Sequence, residues 1–130
     1  MDFQNSTTYL NLQTALENEL STNGLYDLYR KRAGQEELIE IRNVFDTISR
    51  NSEFLAERLR RILNGGDTTT YQNLVDAAAR ELYAENQIYR EFSRIATEEG
   101  YDDIASLFNG IANIKLNHNT TLQTFIDNIN

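Results

Sequence analysis

Four long stretches of this sequence carry apolar residues at alternating spacings of three and four, which is the period of an α-helix. In the second stretch, for example, Leu38, Ile41 and Phe45 fall on one helix face. Glycines separate the stretches, at Gly34, Gly65, Gly66 and Gly100. The pattern predicts helices at about 8–33, 36–64, 69–99 and 102–129. Four such faces bury one another in an all-α four-helix bundle, which is the predicted fold class.

The composition agrees with a helical chain. There is no proline, there are only six glycines, and 40% of the 130 residues are apolar. This length is enough for a single domain, 1–130, with one core. The absence of cysteine excludes disulfides, thiolate catalysis and cysteine-ligated metal centres.

Charge and hydropathy exclude further classes. The net charge of −8 opposes binding to a phosphate backbone, so no nucleic-acid partner is expected. The apolar runs are too short to span a membrane, and the first residues lack the basic start of a signal peptide. The sequence therefore predicts a soluble, cytoplasmic protein without a membrane partner.

Polar residues interrupt the apolar faces at one level of the predicted bundle. In antiparallel hairpins, residues equidistant from a turn stand at equal height. The midpoint between Glu19 and Ser52 falls beside Gly34, and that between Glu81 and Lys115 falls beside Gly100. The residues assigned to this layer are Glu19, Asn23, Ser52, Glu81, Lys115 and His118.

Two interpretations of this polar layer remain open. Carboxylates from two helices with an imidazole are the ligand chemistry of iron and manganese. Alternatively, Lys115 and protonated His118 neutralise Glu19 and Glu81 in a buried ion-pair cluster, because an unpaired buried charge is costly. His118 is the only histidine, so mechanisms that need two imidazoles are excluded.

The passage from Tyr89 to Phe108, with its Glu-Glu-Gly turn, resembles the rubrerythrin family of ferritin-like proteins. The resemblance extends over about residues 10–129 and implies the ferritin-like bundle. It also implies a di-iron centre that reduces hydrogen peroxide, with electrons usually supplied by a cysteine-ligated rubredoxin domain. This cysteine-free chain has no such domain.

The resemblance implies a ligand set, and this chain keeps part of it. The matching metal ligands are Glu19, Glu81 and His118. The other four ligand positions are occupied by Ser52, Leu55, Ala84 and Lys115. Tyr26 and Tyr89 are similar to the family's tyrosines beside the iron carboxylates, in the second shell.

The leading interpretation is a rubrerythrin-like protein whose di-iron site is replaced by a buried Lys/Glu/His cluster, with a structural or interaction role and no cofactor. The alternative is a peroxide-related oxidoreductase that holds one Fe or Mn ion. A third interpretation is a small-ligand binder that uses the space left by Ser52 and Ala84.

The loop between the second and third stretches bears on assembly. In the ferritin-like fold, helices two and three run parallel, so their connection must cross the bundle. A helix of about 26 residues is ~39 Å long, whereas seven loop residues, 64–70, span at most ~25 Å. The short loop leaves an up-down-up-down monomer or a helix-swapped homodimer, and the family resemblance favours the homodimer.

Overall fold

The computed structural model describes residues 2–129, and within that range every regular element is helical. None of the described helices is long and apolar enough to cross a membrane. A short 3₁₀ turn, Phe3–Asn5, precedes the first long helix. The elements are α1 (Thr7–Gln35), α2 (Ile39–Asn64), α3 (Thr70–Tyr83), a π-helical segment (Ala84–Tyr89), α4 (Arg90–Glu98) and α5 (Asp102–Asn128).

The chain divides into two compact units after Asp67. The first hairpin pairs α1 with α2, and the second hairpin pairs α5 with α3, the π-helical segment and α4. The helices α1, α2 and α5 correspond to three of the four predicted stretches, with small shifts at their ends. The third predicted stretch, 69–99, contains α3, the π-helical segment and α4 without a break.

The helix ends follow from local chemistry. The Ser6 hydroxyl accepts a hydrogen bond from the Tyr9 amide and begins α1. Gly65 adopts a left-handed conformation with φ 70° and ends α2. Thr69 and Gln72 form the reciprocal hydrogen bonds of a capping box at the start of α3.

The two hairpins turn in the same way. In the first, the Leu38 amide donates to the Ala33 carbonyl over 2.9 Å; in the second, the Tyr101 amide donates to the Ala96 carbonyl over 2.8 Å. The residue before each donor has a positive φ, 61° at Glu37 and 85° at Gly100. Each residue of the first turn corresponds to the residue 63 positions later in the second turn, as Leu38 does to Tyr101, and the same shift matches α2 to α5.

Small side chains hold the paired helices together. Among residues 2–129, every buried residue is an alanine or a serine. Large apolar residues that the sequence pattern places on core-facing stripes are instead exposed, including Ile62 at 53% and Phe125 at 61%. Each hairpin thus carries a broad apolar surface in addition to its own interface. The buried residues are Ala33, Ser49, Ser52, Ala56, Ala78, Ala96, Ala105 and Ala112.

The π-helical segment absorbs one additional residue. Tyr26 follows Glu19 by seven positions, whereas Tyr89 follows Glu81 by eight. A single π-helical turn accommodates such an insertion without ending the helix. The sequence pattern did not indicate this π-turn, because a single inserted residue leaves the apolar spacing on both sides intact.

Candidate functional site

The second hairpin brings three of the predicted polar residues together. Glu81 lies on α3, and Lys115 and His118 lie on α5. The Lys115 ammonium is 3.1 Å from Glu81 Oε2, and His118 Nδ1 is 3.2 Å from Glu81 Oε1. The spacing of three along α5 places both partners over the same carboxylate. We call these three residues the Lys–Glu–His cluster.

This cluster is half-buried rather than buried, which corrects the prediction from the sequence. The side chains of Glu81, Lys115 and His118 are 22%, 29% and 53% exposed. The contacts of Lys115 and His118 with Glu81 join α3 to α5 within the second hairpin. Solvent therefore screens its charges in part.

The surroundings lower the pKa of Glu81 below its ordinary value of 4.5. Burial acts in the opposite direction and is the largest single influence, since it disfavours the charged carboxylate. Hydrogen bonds from Lys115 and His118, together with the charges of these two groups, outweigh it. Glu81 is therefore ionised at neutral pH.

The donor set of the cluster does not fit a pair of metal ions. One carboxylate and one imidazole are present, and an ammonium occupies the space beside the carboxylate. A lysine ammonium has three donor hydrogens and no lone pair for a metal. Within residues 2–129, no group of three or more His, Cys, Asp or Glu side chains has the arrangement of a metal site.

In the first hairpin, Ser52 matches Lys115 and Leu55 matches His118, by the shift that relates the two turns. Ser52 is buried, and Leu55 is 44% exposed. Glu19, the counterpart of Glu81, forms no ion pair with any residue in the described range. The two hairpins therefore have a carboxylate at matching positions, and among the described residues only the second hairpin places an ammonium and an imidazole against it.

Asn23, also assigned to the polar layer, bonds to a residue that the sequence did not single out. Its amide nitrogen donates to the carbonyl and to the hydroxyl of Ser49, both over 3.0 Å. The Ser49 hydroxyl also lies 3.1 Å from the Asp27 carboxylate. These contacts join α1 to α2, which supports a structural role for Asn23.

The tyrosines of the predicted second shell lie in aromatic clusters. Tyr26 packs edge-on against Tyr29 and Phe45 at centroid distances of 5.2 and 5.7 Å. Tyr89 packs at 6.2 Å from both Phe92 and Phe108. Ala84 begins the π-helical segment and is partly buried.

A network around Arg90 was missed by sequence reasoning. The Arg90 guanidinium donates to Glu85 Oε2 over 2.7 Å and to Asn113 Oδ1 over 2.9 Å, and it also bonds Asn109. The Arg90 amide donates to the Glu85 carbonyl, which is the i to i−5 bond of a π-turn. The five-residue spacing of Glu85 and Arg90 was the available signal, but it lies outside the three and four spacings of an α-helix.

Comparison with known proteins identifies the family. The rubrerythrin family model matches residues 11–126, nearly the whole chain. The chain belongs to the rubrerythrin family. It is 30% identical to a rubrerythrin of Nitratidesulfovibrio vulgaris, over 95% of this chain and 71% of that protein. It is 27% identical to rubrerythrin-1 of Clostridium acetobutylicum, over 92% of this chain and 69% of that protein.

Membership of the rubrerythrin family, together with the helices of residues 2–129, confirms the predicted fold class, all-α and ferritin-like. The resemblance seen in the passage from Tyr89 to Phe108 is confirmed as well. The metal-ligand roles that the family implies for Glu19, Glu81 and His118 stay predictions.

Proposed function

We propose that this rubrerythrin-family protein has a non-catalytic, structural or interaction role, and that the Lys–Glu–His cluster takes the place of the family's metal centre. The observation that carries this proposal is the contact of 3.1 Å between the Lys115 ammonium and Glu81 Oε2. The Lys115 ammonium supplies the positive charge that a metal ion would otherwise bring to Glu81. We also propose that no cofactor is bound and that the protein acts in the cytoplasm.

The chemistry of both carboxylate oxygens supports this proposal. Oε1 of Glu81 faces His118 and Oε2 faces Lys115, so a metal ion would have to displace one of these partners. Displacing Lys115 would leave a second cation within a few ångströms of the metal, which is electrostatically unfavourable.

Metal binding tests the proposal. Protein purified after growth with iron and manganese should contain neither metal in stoichiometric amount, and added Fe(II) or Mn(II) should leave the melting temperature unchanged. The Lys115→Glu variant removes the competing cation and adds a carboxylate beside Glu81 and His118. It should gain stability from either metal, because ligands that bind only the folded state stabilise it.

Lys115→Met is the matched control, because it removes the charge without adding a ligand. It should gain less from metal than Lys115→Glu. Stoichiometric Fe or Mn in the wild-type protein would contradict the proposal, as would peroxide reduction that depends on that metal.

A single-metal oxidoreductase is the second candidate, and one observation favours it. Glu81 and His118 bring a carboxylate and an imidazole within 3.2 Å of each other on neighbouring helices. These are ligands suited to one Fe or Mn ion. The wild-type metal analysis above decides between the candidates.

We further propose a homodimer formed by exchange of hairpins. The linker between α2 and α3, 65–69, has five residues and spans at most ~18 Å. A crossover along a helix the length of α2 would require ~39 Å. Large apolar side chains such as Ile62 and Phe125 are exposed in a single copy. A second copy that covers these apolar faces would remove them from solvent, which supports the proposed dimer.

Lengthening this linker tests the assembly. Wild-type protein should scatter light as a dimer at micromolar concentration. An insertion of about twelve Gly and Ser residues after Gly66 would let one chain span ~39 Å and should shift the protein toward a monomer. The same insertion after Glu36, in the turn of the first hairpin, is the control and should leave the dimer intact. A wild-type monomer would contradict the exchange and support the up-down-up-down alternative.

A further inference from the structure

Three Asn-Gly pairs occur in this chain, and the structure places them in different surroundings. Asn23-Gly24 lies inside α1, and Asn109-Gly110 lies inside α5. Asn64-Gly65 lies where α2 ends, because Asn64 is the last residue of that helix and Gly65 is its cap. The same chemical pair is thus present in two helix interiors and at one helix end.

The two interior asparagines are held in place. The Asn23 amide nitrogen donates to Ser49 Oγ and to the Ser49 carbonyl, both over 3.0 Å. Asn109 Oδ1 accepts from the Arg90 guanidinium. Within a helix the following amide is also engaged in the backbone ladder, so the asparagine side chain cannot approach it without local unfolding.

The pair at the end of α2 is open. Asn64 is exposed, and in the described range no hydrogen bond holds its side chain. The Gly65 amide closes the last turn of α2 by donating to the Arg61 and Ile62 carbonyls, the latter over 3.4 Å. Because helix ends open readily, opening of this last turn brings the Gly65 nitrogen within reach of the Asn64 side chain.

We propose that Asn64 is a site of spontaneous deamidation. The deprotonated backbone nitrogen of Gly65 attacks Cγ of Asn64, a C–N bond forms, and the side-chain nitrogen leaves as ammonia after it takes up a proton. The product is a five-membered succinimide. Water then breaks one of the two imide C–N bonds, which gives either aspartate or isoaspartate, so the net change consumes one water and releases one ammonia.

The modification changes the segment that joins the two hairpins. It adds a negative charge at the carboxyl end of α2, where the helix dipole disfavours an anion. The isoaspartate form also lengthens the main chain by one carbon immediately before the linker, 65–69. Both effects act at the end of α2 and leave the Lys–Glu–His cluster unaltered.

Peptide mapping by mass spectrometry tests this assignment with the chain's own controls. The protein is incubated in mildly alkaline buffer, once folded and once unfolded in urea, and the conversion rate of each Asn-Gly pair is measured. Compared with the urea-unfolded chain, the folded protein should deamidate Asn64 no more than about threefold more slowly. It should deamidate Asn23 and Asn109 at least about tenfold more slowly, because helix ends open more readily than helix interiors.

Two variants isolate the chemistry at this position. Asn64→Gln should abolish conversion there, since attack would then require a six-membered ring. Gly65→Ala should slow conversion in the urea-unfolded chain through steric hindrance, which separates this effect from any change in folded stability. Equal slowing of all three pairs by folding would overturn the assignment, as would a folded protein in which Asn64 remains unmodified while the unfolded chain converts.

Discussion

The Lys115 ammonium lies 3.1 Å from Oε2 of Glu81, across the interface between α3 and α5. The corresponding positions of the first hairpin are Ser52 and Glu19, where no cation is supplied by the described residues. The positive charge therefore belongs to one hairpin, and this asymmetry leads to the first two predictions.

Replacing Lys115 by methionine should lower the free energy of unfolding by about 1 kcal/mol. The alkyl chain is kept while Glu81 loses its nearest cation. The effect is modest because both side chains are about a quarter exposed, so solvent screens the pair. Urea melts at pH 7 measure it. Lys31→Met, at the exposed second lysine, is the control and should change stability by less than about 0.5 kcal/mol. Equal effects of the two substitutions would contradict a specific role for Lys115.

The stabilisation that Glu81 provides should depend on pH. Its pKa is lowered in the folded protein, so its contribution is complete above the unfolded value near 4.5 and is lost as the pH falls through the lower folded value. Glu81→Gln should therefore be less stable than wild type at pH 7, and the difference should shrink below about pH 4.5. Urea melts at a series of pH values check this. A difference independent of pH would mean that Glu81 acts through packing alone.

Replacing Glu37 by glycine should stabilise the folded protein. It has a φ of 61°, and Gly100 stands at the matching position of the second hairpin with a φ of 85°. A left-handed conformation costs a residue with a side chain about 1–2 kcal/mol, which exceeds the entropic cost of glycine. Glu37→Gly should therefore raise the unfolding free energy by about 0.5–1 kcal/mol. Gly100→Ala is the converse variant and should destabilise the protein. Thermal melts in which Glu37→Gly lowers stability, or Gly100→Ala raises it, would contradict the strain argument.

Arg90 and Glu85 should be energetically coupled across the π-helical segment. Their side chains are 33% and 14% exposed, and the guanidinium also bonds Asn113. A double-mutant cycle with Arg90→Ala and Glu85→Ala should give a coupling of about 1 kcal/mol or more. The ion pair between Arg94 and Glu98, 54% and 62% exposed, is the control and should give less than about 0.5 kcal/mol. Equal coupling energies for the two pairs would show that the Arg90–Glu85 ion pair adds no particular stability to the π-helical segment.

The sequence alone determined the helical class, most helix ends and the pairing of Glu81 with Lys115 and His118. These depend on local rules: apolar spacing sets the helices, Gly65 and Thr69 set the ends around the linker, and distance from Gly100 sets which residues stand level. Such rules act within a few turns of the chain or across one short turn.

Only the tertiary structure decided the rest. An inserted residue leaves the apolar pattern on either side unchanged. Spacings of three and four residues therefore indicated neither the π-helical segment nor the contacts of Arg90. Within one chain the side chains of Glu81 and His118 are 22% and 53% exposed, and apolar spacing does not specify such exposure. The difference between Glu19 and Glu81 likewise comes from the neighbouring helix, where Ser52 and Lys115 occupy matching positions but only Lys115 carries a charge.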